Sequence, residues 1–272
     1  MSWVRIMAPM SGAPSEREIL AAAVGLARPF EAEVAAAYAP ADPADLMPWM
    51  GEGFMGGVQV AALDSLKEAS EIGERHARKD AADVGYEKMV YRTLQAPVAA
   101  SLAMEARLSD VVVFGADAAR GRGPLVESFQ QVLMEERRPV FVVRGPAPAP
   151  DATVAVAWDG GREATRSARV ALPWLQRAKR VIILAATGAT PRDFDPARLG
   201  DLFSERGVTA EVRALPETGE PGPIVLAAVR DSGASVLVAG AFGHPRFQQF
   251  IFGGTTRHLL QALDGPSLFL AH

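Results

Sequence analysis

The chain has 272 residues, of which 49% are hydrophobic, with a net charge of −4 and no cysteine. That length holds one large or two ordinary domains and suffices to bury a substantial core. Mild acidity with interspersed signs gives no support for non-specific nucleic-acid binding, and the missing cysteine excludes disulfides, thiolate metal sites and a cysteine nucleophile.

The segment beginning Met1-Ser2-Trp3-Val4-Arg5 turns polar too quickly for a signal peptide. No run along the chain reaches the roughly 20 apolar residues of a spanning helix, so a cytoplasmic location is expected. Short apolar runs then alternate with helical patterns. Strands are predicted near 3–9, 32–38, 86–92, 110–115 and 139–143, and helices near 15–28, 59–83, 96–108 and 126–137. Between the second strand and its helix, the insert from Leu46 to Gly57 sets methionines and aromatics on a glycine-rich loop. Such a loop suits core cover, a lid or an adaptable contact surface.

From Arg144 to Asp151 prolines stand at 146, 148 and 150, which reads as a stiff, extended linker. Two domains are therefore expected, at 1–145 and 152–272. In the second, strands are predicted near 152–158, 180–186, 208–215, 235–240 and 267–271, and helices near 162–177, 195–206, 220–231 and 254–264. The halves repeat one another: Val111–Ala116 resembles Val236–Ala241, and each precedes a loop, a helical stretch and a last strand after a proline, Pro139 or Pro266. Alternating strands and helices, with continuous apolar runs such as Val181–Ala186, predict an α/β fold with two tandem five-stranded parallel sheets, Rossmann-like and covered on both faces. The terminal strands, 139–143 and 267–271, would each be left as an exposed edge. Pairing them removes both edges and docks the halves as a pseudo-dimer.

The richest stretch follows the apolar run Ser235–Ala239. Gly240 and Gly243 are succeeded, after nine residues, by Gly253, Gly254 and Thr255, ahead of a helical pattern. Glycines at a strand end let a ligand approach the backbone, and free N–H groups at a helix start attract an anion. An open parallel sheet binds ligands beyond the carboxyl ends of its strands. There Asp159 can accept hydrogen bonds from a ribose or an adenine amino group, and the backbone near Ala186 can read a base edge. Each piece also has a plain structural reading. Asp159-Gly160 favours a turn, Thr255 can cap a helix, and glycines at strand ends often serve close helix packing.

Asp159, the strand Ser235–Ala239 and the G-x2-G-x9-G spacing of Gly240, Gly243 and Gly253 resemble the universal stress protein family in its tandem form. The resemblance implies a five-stranded α/β sandwich of the adenine nucleotide alpha hydrolase-like type in each half, ATP binding in many members, and pairing through terminal strands. It implies that Ala157 and Asp159 contact base and ribose, that Gly240 and Gly243 form the ribose-phosphate loop, and that Gly253, Gly254 and Thr255 cradle the phosphates. In the family a serine or threonine usually follows the last motif glycine; here that place is Gly254 and the hydroxyl comes one residue later.

The first half departs further. Ser11 stands at the aspartate position, Ala118 replaces the second glycine, Val126-Glu127-Ser128 replaces Gly253-Gly254-Thr255, and only Gly115 survives. A carboxylate at Glu127 opposes phosphate, so this half is read as a degenerate partner.

No His/Asp/Glu spacing marks a dedicated metal site, although Mg2+ can arrive with ATP. No G-x4-G-K-[ST] loop or G-x-S-x-G elbow is present, and catalysis is expected to be weak or nil. Three functions fit: a stress-response module binding ATP or a related adenylate in its second half, a nucleotide-free interaction scaffold, or a slow ATPase. A protein partner and a homodimer of the tandem chain are both compatible with the sequence.

Overall fold

The computed structural model describes the chain except residues 1, 14–15, 41–55, 96, 150, 187–194 and 243–253. The first half runs β1 (Arg5–Met10), α1 (Glu16–Ala27), β2 (Glu33–Tyr38), α2 (Gly56–Asp83), β3 (Met89–Thr93), α3 (Val98–Ala106), β4 (Val111–Gly115), α4 (Ala116–Ala119), α5 (Val126–Gln130) and β5 (Val140–Val143). The second runs β6 (Thr153–Trp158), α6 (Arg162–Leu175), β7 (Arg180–Ala186), α7 (Pro196–Glu205), β8 (Ala210–Leu215), α8 (Pro221–Ser232), β9 (Val236–Gly240), α9 (Gly254–Gln261) and β10 (Ser267–Ala271). Local chemistry sets several boundaries. Asp195 caps α7 by accepting from the Ala197 amide at 2.9 Å, with Pro196 in the first turn. Gly233, at φ 68°, ends α8 in the left-handed conformation. Two differences from the sequence reading are local: 116–119 forms a short helix, and the stretch expected as one helix from 126 switches to a π-helical turn over Gln131–Glu135.

All ten strands join one sheet in the order β3-β2-β1-β4-β5-β10-β9-β6-β7-β8. Read outward from the middle, the two halves have the same strand order. Every described pairing is parallel except β5 with β10, where Leu268, Phe269 and Leu270 oppose Val142, Phe141 and Val140. The expected joint of the terminal strands is thus present, and it makes one continuous sheet of the two halves. Aromatic side chains cross it in both directions. Trp3 of the first half stacks on Phe269 at 5.8 Å, and Phe141 meets the edge of Trp174 from the second half at 6.1 Å. The Trp3 indole N–H also donates to the Val170 carbonyl at 3.3 Å. Both sheet faces are covered. α1, α6 and α7 bury apolar residues on one, and α3, α5, α8 and α9 on the other.

Beyond the carboxyl end of β1 the first half closes on itself. Gly12, at φ 81°, lies so near α2 that an added Cβ would stand 2.3 Å from the Gly73 Cα. The Tyr38 hydroxyl donates to the Ser70 carbonyl at 2.8 Å, fixing α2 over the end of β2. Glu16, only 2% exposed, accepts from the backbone N–H groups of Ser11 and Gly12, the latter at 2.9 Å. Burial pushes its carboxyl pKa up, more than the Ser11 and Gly12 hydrogen bonds pull it down, and nearby Asp80 adds to the rise.

Gly12→Ala combines a disfavoured backbone conformation with a backbone clash, and is expected to cost at least about 3 kcal/mol in urea unfolding. Glu16 binds its proton more tightly folded than unfolded. Its contribution is therefore fully present below the ordinary glutamate value of 4.5 and is lost as pH rises through its higher folded value. Glu16→Gln removes that dependence, so its stability relative to the parent protein should improve as pH rises from 4.5 toward neutrality; unfolding curves across that range check it.

Candidate functional site

In the second half β6 pairs with β7 as far as Trp158 opposite Ala185, but with β9 only through Val154, Ala155 and Val156. The connections on either side leave by opposite faces. α6 packs Ala164, Ala168 and Trp174 with the cluster containing Val154 and Val156, whereas α8 and α9 pack Val225, Leu259 and Leu260 with Ala155 and Leu237. Such a reversal is where an open parallel sheet forms its ligand crevice, here between the carboxyl ends of β6 and β9. Ala157, Asp159 and Gly240 lie at those strand ends, and Ala186 ends the neighbouring β7. Gly254 and Thr255 form the first turn of α9. Gly243 and Gly253 lie outside the described residues, as do His244, Arg246 and the insert up to residue 55.

The residues brought to this end have distinct local roles. Asp159 Oδ1 accepts from the Gly161 N–H at 2.8 Å, and Gly160 takes φ 72°, which builds the turn into α6. A Cβ at Gly240 would stand 2.5 Å from the Ala164 nitrogen, so this glycine admits the start of α6. Gly115 is placed likewise, 3.1 Å from Ile19 Cδ1 of α1. At Gly240 the obstacle is backbone and fixes glycine, whereas at Gly115 it is the movable end of a side chain and the demand is weaker. Gly254 differs: among the described residues no atom lies within 4 Å of an added Cβ. No described neighbour requires its bare backbone at the head of α9.

Thr256 is a residue that sequence reasoning missed. It is 7% exposed, and its hydroxyl accepts from the Phe242 N–H at 3.3 Å. It thereby ties α9 to the chain leaving β9, where Phe242 holds φ 59°. The signal lies in the paired Thr255-Thr256, of which only the first was assigned a role. The C-terminus braces the same segment: Ala241 N–H donates to Ala271 O at 2.9 Å, and His272 Nδ1 lies 2.9 Å from Ala241 O. Next to Gly160 and Gly161, a groove of about 520 Å³ is lined by Arg162, Thr165, Arg166 and Arg169. Cationic side chains thus line the face of α6 next to the β6 turn, and Arg166 donates to the His272 main-chain oxygen. Among the described residues no group of three or more His, Asp or Glu is placed to hold a metal ion, and no helix is long and apolar enough to cross a membrane.

The first half presents a different end. The amides of Ser11 and Gly12 are occupied by Glu16, and α2 covers the space beyond them. Glu127, in the first turn of α5, is exposed and accepts from Gln131 Nε2 at 3.2 Å.

Comparison with known proteins agrees with the fold. Residues 153–269 match the model of the universal stress protein family. A universal stress protein from Archaeoglobus fulgidus DSM 4304 superposes with a TM-score of 0.69 at 14% identity, over 98% of this chain and 95% of that one. A putative universal stress protein from Pseudomonas aeruginosa UCBPP-PA14 gives 0.58 at 14% identity, over 99% and 93%. A functionally unknown protein from Pseudomonas aeruginosa PAO1 gives 0.58 at 14% identity, over 99% and 92%. No curated protein matches the sequence. The chain therefore carries a universal stress protein domain at 153–269, within a fold it shares along nearly its whole length with solved universal stress proteins.

Proposed function

We propose that the second half binds an adenine nucleotide, ATP foremost, in the crevice between β6 and β9, and that the protein is a cytoplasmic stress-response module whose partner contacts the nucleotide biases. The observation that carries this reading is Gly254: a bare main chain at a helix head, at the strand-order reversal, with no atom of the described residues within 4 Å of an added Cβ. First-turn N–H groups there attract phosphate, with a helix-dipole contribution of about 0.3–1 kcal/mol. The arginines of the α6 groove add positive potential beside the crevice.

In this reading the main chain at Ala157 and Ala186 meets the base, and Asp159 offers the ribose a carboxylate. Gly240 and Gly243 pass close to sugar and phosphate, and Gly253, Gly254 and Thr255 receive the phosphates, with Mg2+ entering on the nucleotide. The first half, closed by Glu16 and α2, takes no nucleotide. One observation favours the alternative of a nucleotide-free scaffold: Asp159 and Gly240 each already serve the fold, one in a turn and one under α6.

Thermal and urea unfolding with ATP, ADP and AMP separates the two. ATP at a hundredfold excess over Kd should stabilise the chain by about 2.7 kcal/mol. Gly254→Leu, whose Cβ meets no atom of the described residues, should leave the unliganded stability within about 0.5 kcal/mol and abolish the ATP shift. No shift with any of the three nucleotides at millimolar concentration rejects the proposal and leaves the scaffold.

A further inference from the structure

The helix that begins at Gly254 is held at its other end by two arginines from outside its own half. Arg144, the first residue after β5, donates through Nη2 to the carbonyls of Leu259 and Leu260 at 2.7 and 2.8 Å, and through Nη1 to Pro266 at 3.3 Å. Arg120, which follows α4, donates through Nη2 to Ala262 at 2.8 Å and to Leu263 at 3.3 Å. Gln261 returns a bond from its side-chain amide to the Arg120 carbonyl at 3.4 Å. The Leu259 and Leu260 carbonyls are among those that the last turn of a helix leaves without partners, at the negative end of its dipole, and the others lie in the chain just beyond it.

The clamp is built, and its parts are fixed. The backbone of Arg144 is tied to Ser267 of β10: its N–H donates to Oγ at 3.0 Å, and that hydroxyl donates back to its carbonyl at 3.2 Å. A Cβ at Gly265 would stand 2.7 Å from Arg144 Nη1, so the chain passes bare beneath the guanidinium. Two cations share the helix end. Burial, then the Arg120 charge, lowers the Arg144 pKa to about 10, which still leaves it charged at neutral pH. At the opposite end of α9, Thr256 holds the Phe242 N–H directly after β9. A continuous set of hydrogen bonds thus runs from the first half, through α9, to the backbone at the crevice.

We propose that the first half acts as a positioning half for the second: Arg120 and Arg144 set the placement of α9, and with it the first-turn amides offered to a phosphate. This rests on the adenylate reading above. It gives the first half a part in ligand binding after its own crevice has been closed.

The test uses the intact chain. Arg120→Gln/Arg144→Gln removes the clamp, and Arg144→Lys keeps the charge but loses the fork. Arg177→Gln is the control. It also crosses the joint, through bonds to the Pro29 carbonyl at 3.2 and 3.0 Å and stacking on Phe30 at 4.2 Å, without touching α9. At a temperature where circular dichroism shows each variant folded, the double variant should raise the ATP Kd at least about tenfold, some 1.4 kcal/mol. Arg144→Lys should raise it in the same direction, and Arg177→Gln should leave it unchanged. Hydrogen exchange without nucleotide should show faster exchange of the α9 and Phe242 amides in the double variant and not in the control. An unchanged Kd in both clamp variants, or an equal rise in the control, overturns the proposal. Should the parent chain bind no ATP, the adenylate reading falls, and unchanged α9 exchange then overturns the clamp separately.

Discussion

The antiparallel pairing of β5 with β10 is the constraint on which the rest depends. A parallel five-stranded sheet made by either half alone would end in an unpaired edge lined with Val140, Phe141 and Val142 or with Leu268, Phe269 and Leu270. Matching the two edges satisfies both backbones at once. It also brings the aromatic residues of each half over the strands of the other, so that Trp3 and Trp174 belong to cores that cross the joint. The joint places α4 and the start of the linker against the far end of α9, which is how Arg120 and Arg144 reach carbonyls of the other half.

Two halves with one strand order have diverged at the same place. At the end of β6, a turn built by Asp159 and Gly160 leads into α6, beside a groove lined by arginines. At the end of β1, the equivalent turn is threaded beneath α2, with Gly12 against Gly73, and its amides are taken by a buried carboxylate. The strand-end glycines Gly115 and Gly240 are common to both, each facing the helix that follows the first strand of its half. What separates the halves is the material beyond the strands.

Much of this is legible in the sequence. Continuous apolar runs such as Val111–Phe114 and Val181–Ala185 are buried on both faces, and edge reasoning alone leads to the joint. The crevice is legible in outline, since its position follows from strand order. Other features are not, for physical reasons. Glu16 reads as an ordinary first-turn acid, and only the approach of α2 shows that it is buried. The Gly12 contact depends on two glycines far apart in the chain, and no local pattern joins them. Arg144 reads as the first residue of a stiff linker; that its side chain turns back onto a helix 115 residues later is decided by the register of β10. Thr256 escapes notice because its bond to the Phe242 N–H depends on how α9 packs against the chain leaving β9, which no local pattern shows.

The joint has one further consequence. Because β5 and β10 lie on a single chain, their meeting is an intramolecular event, and dilution cannot separate them as it would two free subunits. Such a pair is always assembled with one copy of each member. Either member can therefore surrender a chemical task and specialise, since no identical twin has to perform it in the same molecule.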